Sequence, residues 1–159
     1  MESERRILLI GYGNPGRLDD GLGPALAAAV EDWNVEGLTV DADYQLTVED
    51  ANDVARHDVV IFADASVNGR EPYFVEKVEP KEALSFSSHS VEPGVLLHLA
   101  KTLFNASPRA YILGIRGYDF NEFGERLSPR ATENLEKAIA YLRLALEDSR
   151  LLDMPPEAN

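Results

Sequence analysis

The chain contains no cysteine. That excludes disulfides, thiolate metal ligands and a cysteine nucleophile together. Positive charge is scarce: 15 lysines and arginines stand against 28 aspartates and glutamates, a formal charge of −13. So acidic a surface repels nucleic-acid phosphates and anionic lipid headgroups and favours solubility. Neither nucleic acid nor a membrane is an expected partner; a neutral or basic protein is. Long apolar runs are also missing. Met1 to Arg6 is polar and the apolar run behind it is short. No segment approaches the roughly 20 apolar residues of a membrane span. The expected location is the cytoplasm. H-E-x-x-H and G-x-S-x-G are absent, so neither a zincin helix nor a serine nucleophile elbow is present. Repeats, linkers and low-complexity stretches are lacking too. The expectation is a single domain over 1–159, with its core at about 6–148 and a loose tail at 151–159.

What is present alternates between strand and helix signals. Ile7-Leu8-Leu9-Ile10 is a short apolar run ending at Gly11, and Asp58 to Asp64 is a longer one. Both read as strands buried on two faces, as in a parallel sheet. Gly37 to Asp41 and Ala110 to Ile115 read as further strands. Tyr73 to Val78, lying between Pro72 and Pro80, reads as an edge strand. Leu22, Ala25, Leu26, Ala29, Val30 and Trp33 repeat at helical spacing, with Pro24 allowed only in a first turn. Val48 to Arg56 and Val91 to Phe104 also read as helices. Ser128-Pro129 is an N-cap followed by proline, opening a long last helix. The fold class is therefore α/β: a three-layer αβα sandwich whose mostly parallel, twisted sheet of about five strands carries helices on both faces.

In such sheets chemistry collects at the C-terminal ends of strands, near the point where strand order switches. Three groups fall there. The loop after the first strand, Gly11 to Gly23, carries Asp19 and Asp20; the third strand ends in Asp64; His89 precedes a predicted helix. If the first and third strands are neighbours, Asp20 and Asp64 face each other and His89 can approach from the adjoining crossover. Two carboxylates and an imidazole suit a divalent transition metal with positions left open. Duller roles exist for each. Asp19 can be an N-cap, Asp20 a first-turn acid, Asp64 a structural hydrogen-bond acceptor and His89 a loop histidine. His57 and His98 read as structural. Gly11-Tyr12-Gly13-Asn14-Pro15-Gly16 also fits G-x-G-x-x-G, with Asp41 where a ribose-binding acid would sit. Against a nucleotide stand Arg17-Leu18-Asp19-Asp20, which delay the helix and put negative charge where a pyrophosphate would lie.

Gly11-Tyr-Gly13-Asn14 with Asp19-Asp20-Gly21-Leu22-Gly23, then Phe62-Ala63-Asp64-Ala65-Ser66, then Ser88-His89 followed by Leu96-Leu97, form an ordered set of motifs. In this set the chain resembles the hydrogenase maturation endopeptidases, from Arg6 to about Ala145. The resemblance implies an endopeptidase that removes the C-terminal extension of a nickel-iron hydrogenase large-subunit precursor after nickel insertion. It implies Asp20, Asp64 and His89 as metal positions, and nickel carried by the substrate as the recognised element. It leaves room for another divalent metal on the isolated protein. Asp20 and Asp64 become candidate catalytic carboxylates, with Asp41, rather than Asp43, in the family's additional acidic position. Asp41 to Asp50 and Gly114-Ile115-Arg116-Gly117-Tyr118 look most like the relatives that serve soluble, NAD-reducing hydrogenases. Two alternatives stay open: a nucleotide-binding module using Gly11 to Gly16, and a non-catalytic nickel-dependent maturation chaperone.

Overall fold

The computed structural model describes residues 5–82 and 91–154. In chain order the elements are β1 (Ile7–Tyr12), a 3-10 turn (Leu18–Gly21), α1 (Leu22–Glu31), β2 (Leu38–Asp43), α2 (Asp50–Ala55), β3 (Val59–Ser66), β4 (Tyr73–Lys77), α3 (Pro93–Phe104), β5 (Arg109–Arg116), α4 (Pro129–Glu147) and a 3-10 turn (Ser149–Asp153). The strands form one sheet in the order β2-β1-β3-β5-β4. β1 pairs in parallel with β2 and β3, and β3 with β5; β4 alone is antiparallel, on the edge of β5. The expected α/β sheet, the neighbouring first and third strands and the edge position of Tyr73–Lys77 are all observed.

Alternation along the strands sorts side chains into two cores. Ile7, Leu9, Val59 and Ile61 pack with Leu22, Leu26 and Val30 of α1 and Leu135, Ala138 and Leu142 of α4. Leu8, Ile10, Val60 and Phe62 pack with Val54 of α2 and Leu96 and Ala100 of α3. Burial on both faces is why β1 and β3 read as unbroken apolar runs rather than alternating ones. Leu8, Leu9, Ile10, Val60, Ile61 and Phe62 are all at most 1% exposed. Each such side chain contributes about 1.5–3 kcal/mol relative to leaving it in water.

The close approach of α1 to the sheet is set by glycine. A Cβ on Gly23 would lie 2.5 Å from the carbonyl oxygens of both Ala63 and Tyr12, so only glycine lets this helix start lie over the C-terminal ends of β1 and β3. The tail departs from expectation. It is not loose from Leu151: the turn Ser149–Asp153 buries Leu152 to 3% exposure, and Arg109 pairs with Asp153 at 3.2 Å. A leucine that reaches the α4 core and an ion pair to β5 hold the segment down. Among the described residues, no helix is long and apolar enough to cross a membrane.

Candidate active site

β1 has β2 on one side and β3 on the other, so chain order switches between β1 and β3. Asp20 follows the C-terminal end of β1, and Asp64 lies in the last turn of the ladder along β3, opposite Gly114 of β5. Alternation puts Asp64 on the same face as Val60 and Phe62. Tyr12 shares that face with Leu8 and Ile10, one step beyond the Gly11–Ala63 pair. The Asp64 carboxyl is pushed up to about 6, first by burial and then by the negative charge of Asp20. The Ala65 N–H and the Tyr12 hydroxyl act in the opposite direction. Tyr12 in turn is held protonated far above its ordinary value by burial and by Asp64. Asp20 and Asp64 are thus brought together with their charges in conflict, an arrangement a cation relieves.

The two tandem aspartates have different surroundings. Asp20 is partly exposed, and its Oδ2 accepts the Asn14 N–H at 2.8 Å. Asp19 is 0% exposed. Its Oδ1 accepts the Ser128 N–H at 2.7 Å, and its Oδ2 accepts from the Tyr118 N–H at 2.8 Å, the Asp119 N–H at 3.0 Å and the Ser128 hydroxyl at 2.7 Å. Burial alone would raise its pKa. The hydrogen bonds from Asp119, Ser128 and Tyr118 outweigh that and hold the carboxyl below its usual value. Asp19 does not cap α1, whose N-cap is Gly21. It ties the loop after β1 to the β5–α4 connection, and Ser128 serves both Asp19 and the α4 N-terminus through the Ala131 N–H at 3.3 Å. Nothing at the ends of a 109-residue separation announces this tie in sequence.

Asp41 lies in β2 opposite Ile10 and gathers with Asp50 and Asp53, one carboxylate oxygen from each lying within 4.8 Å of the others. Burial raises Asp50, the Thr47 N–H opposes that, and the charges of Asp43, Asp41 and Asp53 raise it further. His57 has its Nδ1 2.6 Å from the Asp53 carbonyl, a structural contact at the end of α2. His89 lies outside the described residues. A large cavity of about 1150 Å³ opens at the opposite, N-terminal ends of the strands, beside Ile7, Val59 and Arg109, and none of the candidate carboxylates among the described residues lines it.

No protein-family model matches the chain. The fold is that of solved maturation proteases. The hydrogenase maturating endopeptidase HybD of E. coli superposes with a TM-score of 0.72 at 22% identity, covering 91% of this chain and 93% of that one. The [NiFe] hydrogenase maturation protease HycI of Thermococcus kodakarensis gives 0.68 at 19% identity, covering 91% and 94%. In sequence, the hydrogenase expression/formation protein HupD of Thiocapsa roseopersicina is 29% identical, over 89% of this chain and 70% of that protein. In sequence and in fold the chain is similar to hydrogenase maturation proteins. In this chain the glycine loop differs from a dinucleotide loop in two respects. The Asn14 N–H, free to meet a phosphate in a nucleotide loop, is taken by Asp20, and the 3-10 turn Leu18–Gly21 separates the loop from α1.

Proposed function

We propose that this protein is the endopeptidase that removes the C-terminal extension of a nickel-iron hydrogenase large-subunit precursor once nickel is inserted. The substrate's nickel is the recognition element, and Asp20, Asp64 and His89 are the groups that meet it. The observation that carries this reading is the mutual charge conflict of Asp20 and Asp64 at the strand-order switch point. Two partly buried carboxylates held together favour whatever brings positive charge, so a nickel-loaded substrate binds better than a nickel-free one. Two carboxylates and one imidazole are too few for a closed structural site, which leaves coordination positions to the substrate's own ligands.

The chemistry then needs an activated water. A carboxylate can take that water's proton as general base, and we assign that role to the set of Asp20, Asp64 and Asp41. The substrate's metal, by its charge, polarises the scissile carbonyl or acidifies a water. Asp41 is the additional acid, working from the β2 side. The reaction takes place in the cytoplasm, and the substrate class we favour is the soluble, NAD-reducing hydrogenase. The test crosses wild type and Asp20→Asn with nickel-loaded and nickel-free precursor, read by intact mass. Shortening is expected only with wild type and nickel-loaded precursor. Cutting of nickel-free precursor would refute the metal gate, and normal cutting by Asp20→Asn the residue assignment. Nickel binding without any shortening would favour a chaperone.

A further inference from the structure

A second feature adjoins Asp20. The tips of β1 and β2 enclose a cavity of about 190 Å³, lined by Gly13, Pro15, Pro24, Ala42, Asp43 and Tyr44. Tyr44 is 67% exposed. Its backbone is nevertheless held in place. The Tyr44 N–H donates to Asp43 Oδ1 at 2.8 Å, and the Gly13 N–H donates to the Asp43 carbonyl at 3.0 Å, so the sheet ladder runs up to the cavity floor. Two of the remaining walls are prolines. The backbone and proline walls of the pocket are therefore preformed.

The cavity and Asp20 share a wall. At Gly13, where φ is +139°, a Cβ would lie 2.1 Å from the Asp20 carbonyl oxygen and 3.7 Å from the Asp20 carboxyl carbon. An extended peptide advances about 3.3 Å per residue, with successive side chains on opposite sides. A peptide whose scissile carbonyl sits at Asp20 and Asp64 therefore brings a side chain within one or two residues of the cut to this cavity. Among the described residues that line it, Asp43 alone is charged, and that carboxylate already accepts the Tyr44 N–H.

We infer that this cavity is a substrate subsite for a branched aliphatic side chain next to the scissile bond, with Tyr44 as the residue that sets the preference. The inference rests on the endopeptidase reading and deepens it. The experiment uses the full-length enzyme and nickel-loaded precursor. Wild type first maps the cut by intact mass, and the two residues on either side of it are then changed singly to alanine, leucine or lysine. At one of these positions wild type is expected to prefer leucine over alanine about tenfold or more in kcat/KM, the scale set by a few methylenes in an apolar pocket. Tyr44→Ala is expected to narrow that preference below threefold, and Ala42→Leu, which fills the cavity, to reverse it. A Tyr44→Ala enzyme that keeps the full preference would overturn the subsite while leaving the protease reading intact. So would a wild-type preference for lysine that Asp43→Asn abolishes. Failure of wild type to shorten any precursor would overturn both.

Discussion

Replacing Asp19 by asparagine exchanges one carboxylate oxygen for an NH2 group in a place that water does not reach. Four donors converge on this side chain: the N–H groups of Ser128, Tyr118 and Asp119 and the Ser128 hydroxyl. The amide oxygen can take the place of only one carboxylate oxygen. If it replaces Oδ2, the NH2 group faces the Ser128 N–H, and that donor is left unsatisfied at a cost of about 1–3 kcal/mol. The remaining bonds lose their charge assistance, worth roughly 1 kcal/mol each. Together the expected loss is about 4–6 kcal/mol, a large share of a typical folding free energy of about 5–15 kcal/mol. The assay is urea unfolding followed by circular dichroism, with comparison at several pH values. The folded pKa of Asp19 is depressed, so its charge contributes fully above the ordinary carboxylate pKa, and that contribution is lost as pH falls through the folded value. The gap between wild type and variant is therefore expected to shrink in acid. A loss below about 1 kcal/mol at pH 7, or a gap that widens in acid, would refute the clamp.

Asp64→Asn is expected to act in the opposite direction, abolishing processing but stabilising the fold at pH 7 by about 1–3 kcal/mol. The folded pKa of Asp64 is raised to about 6, so stability is lost as pH rises from the ordinary carboxylate value through 6; the gain, read by thermal melts, is expected to vanish below about pH 4. Asp20→Asn, in a partly exposed loop, is expected to change stability by less than about 1 kcal/mol while leaving the precursor uncut. Gly23→Ala drives a methyl into the Ala63 and Tyr12 carbonyls and is expected to cost about 2 kcal/mol or more, with loss of processing, in the same denaturation and mass assays.

The helical spacing from Leu22 to Trp33 and the apolar runs at Ile7 and Val59 make much of the fold legible, because burial on both faces leaves no room for polar alternation. The limits of elements are less visible. β2 runs to Asp43 rather than Asp41, since backbone pairing with β1 continues to Tyr12 irrespective of side-chain polarity. The tail beyond α4 reads as loose because its anchors, Arg109 and the α4 core, are remote in sequence. In the site, the proximity of Asp20 to Asp64 follows from strand order and is readable once β1 and β3 are taken as neighbours. Tyr12 is missed, although its parity with Ile10 places it on the Asp64 face; a tyrosine inside a glycine motif simply draws no attention.

The tandem aspartates show why composition at a motif does not assign roles. Both sit in the 3-10 turn Leu18–Gly21, and with about three residues per turn successive side chains diverge by roughly 120°. One residue therefore faces inward when its neighbour faces the strand crevice. Which is which is decided by Leu18, a non-glycine residue at φ 53° that is only 6% exposed. A left-handed leucine costs about 1–2 kcal/mol. Burial of its side chain and the bond from its N–H to the Gly124 carbonyl at 3.0 Å offset that cost. The chain is thereby turned so that Asp19 enters the β5–α4 connection and Asp20 stays on the side of Asp64. The inward aspartate fixes the loop, and a fixed loop is what allows the outward one to stand beside Asp64 with its charge unneutralised.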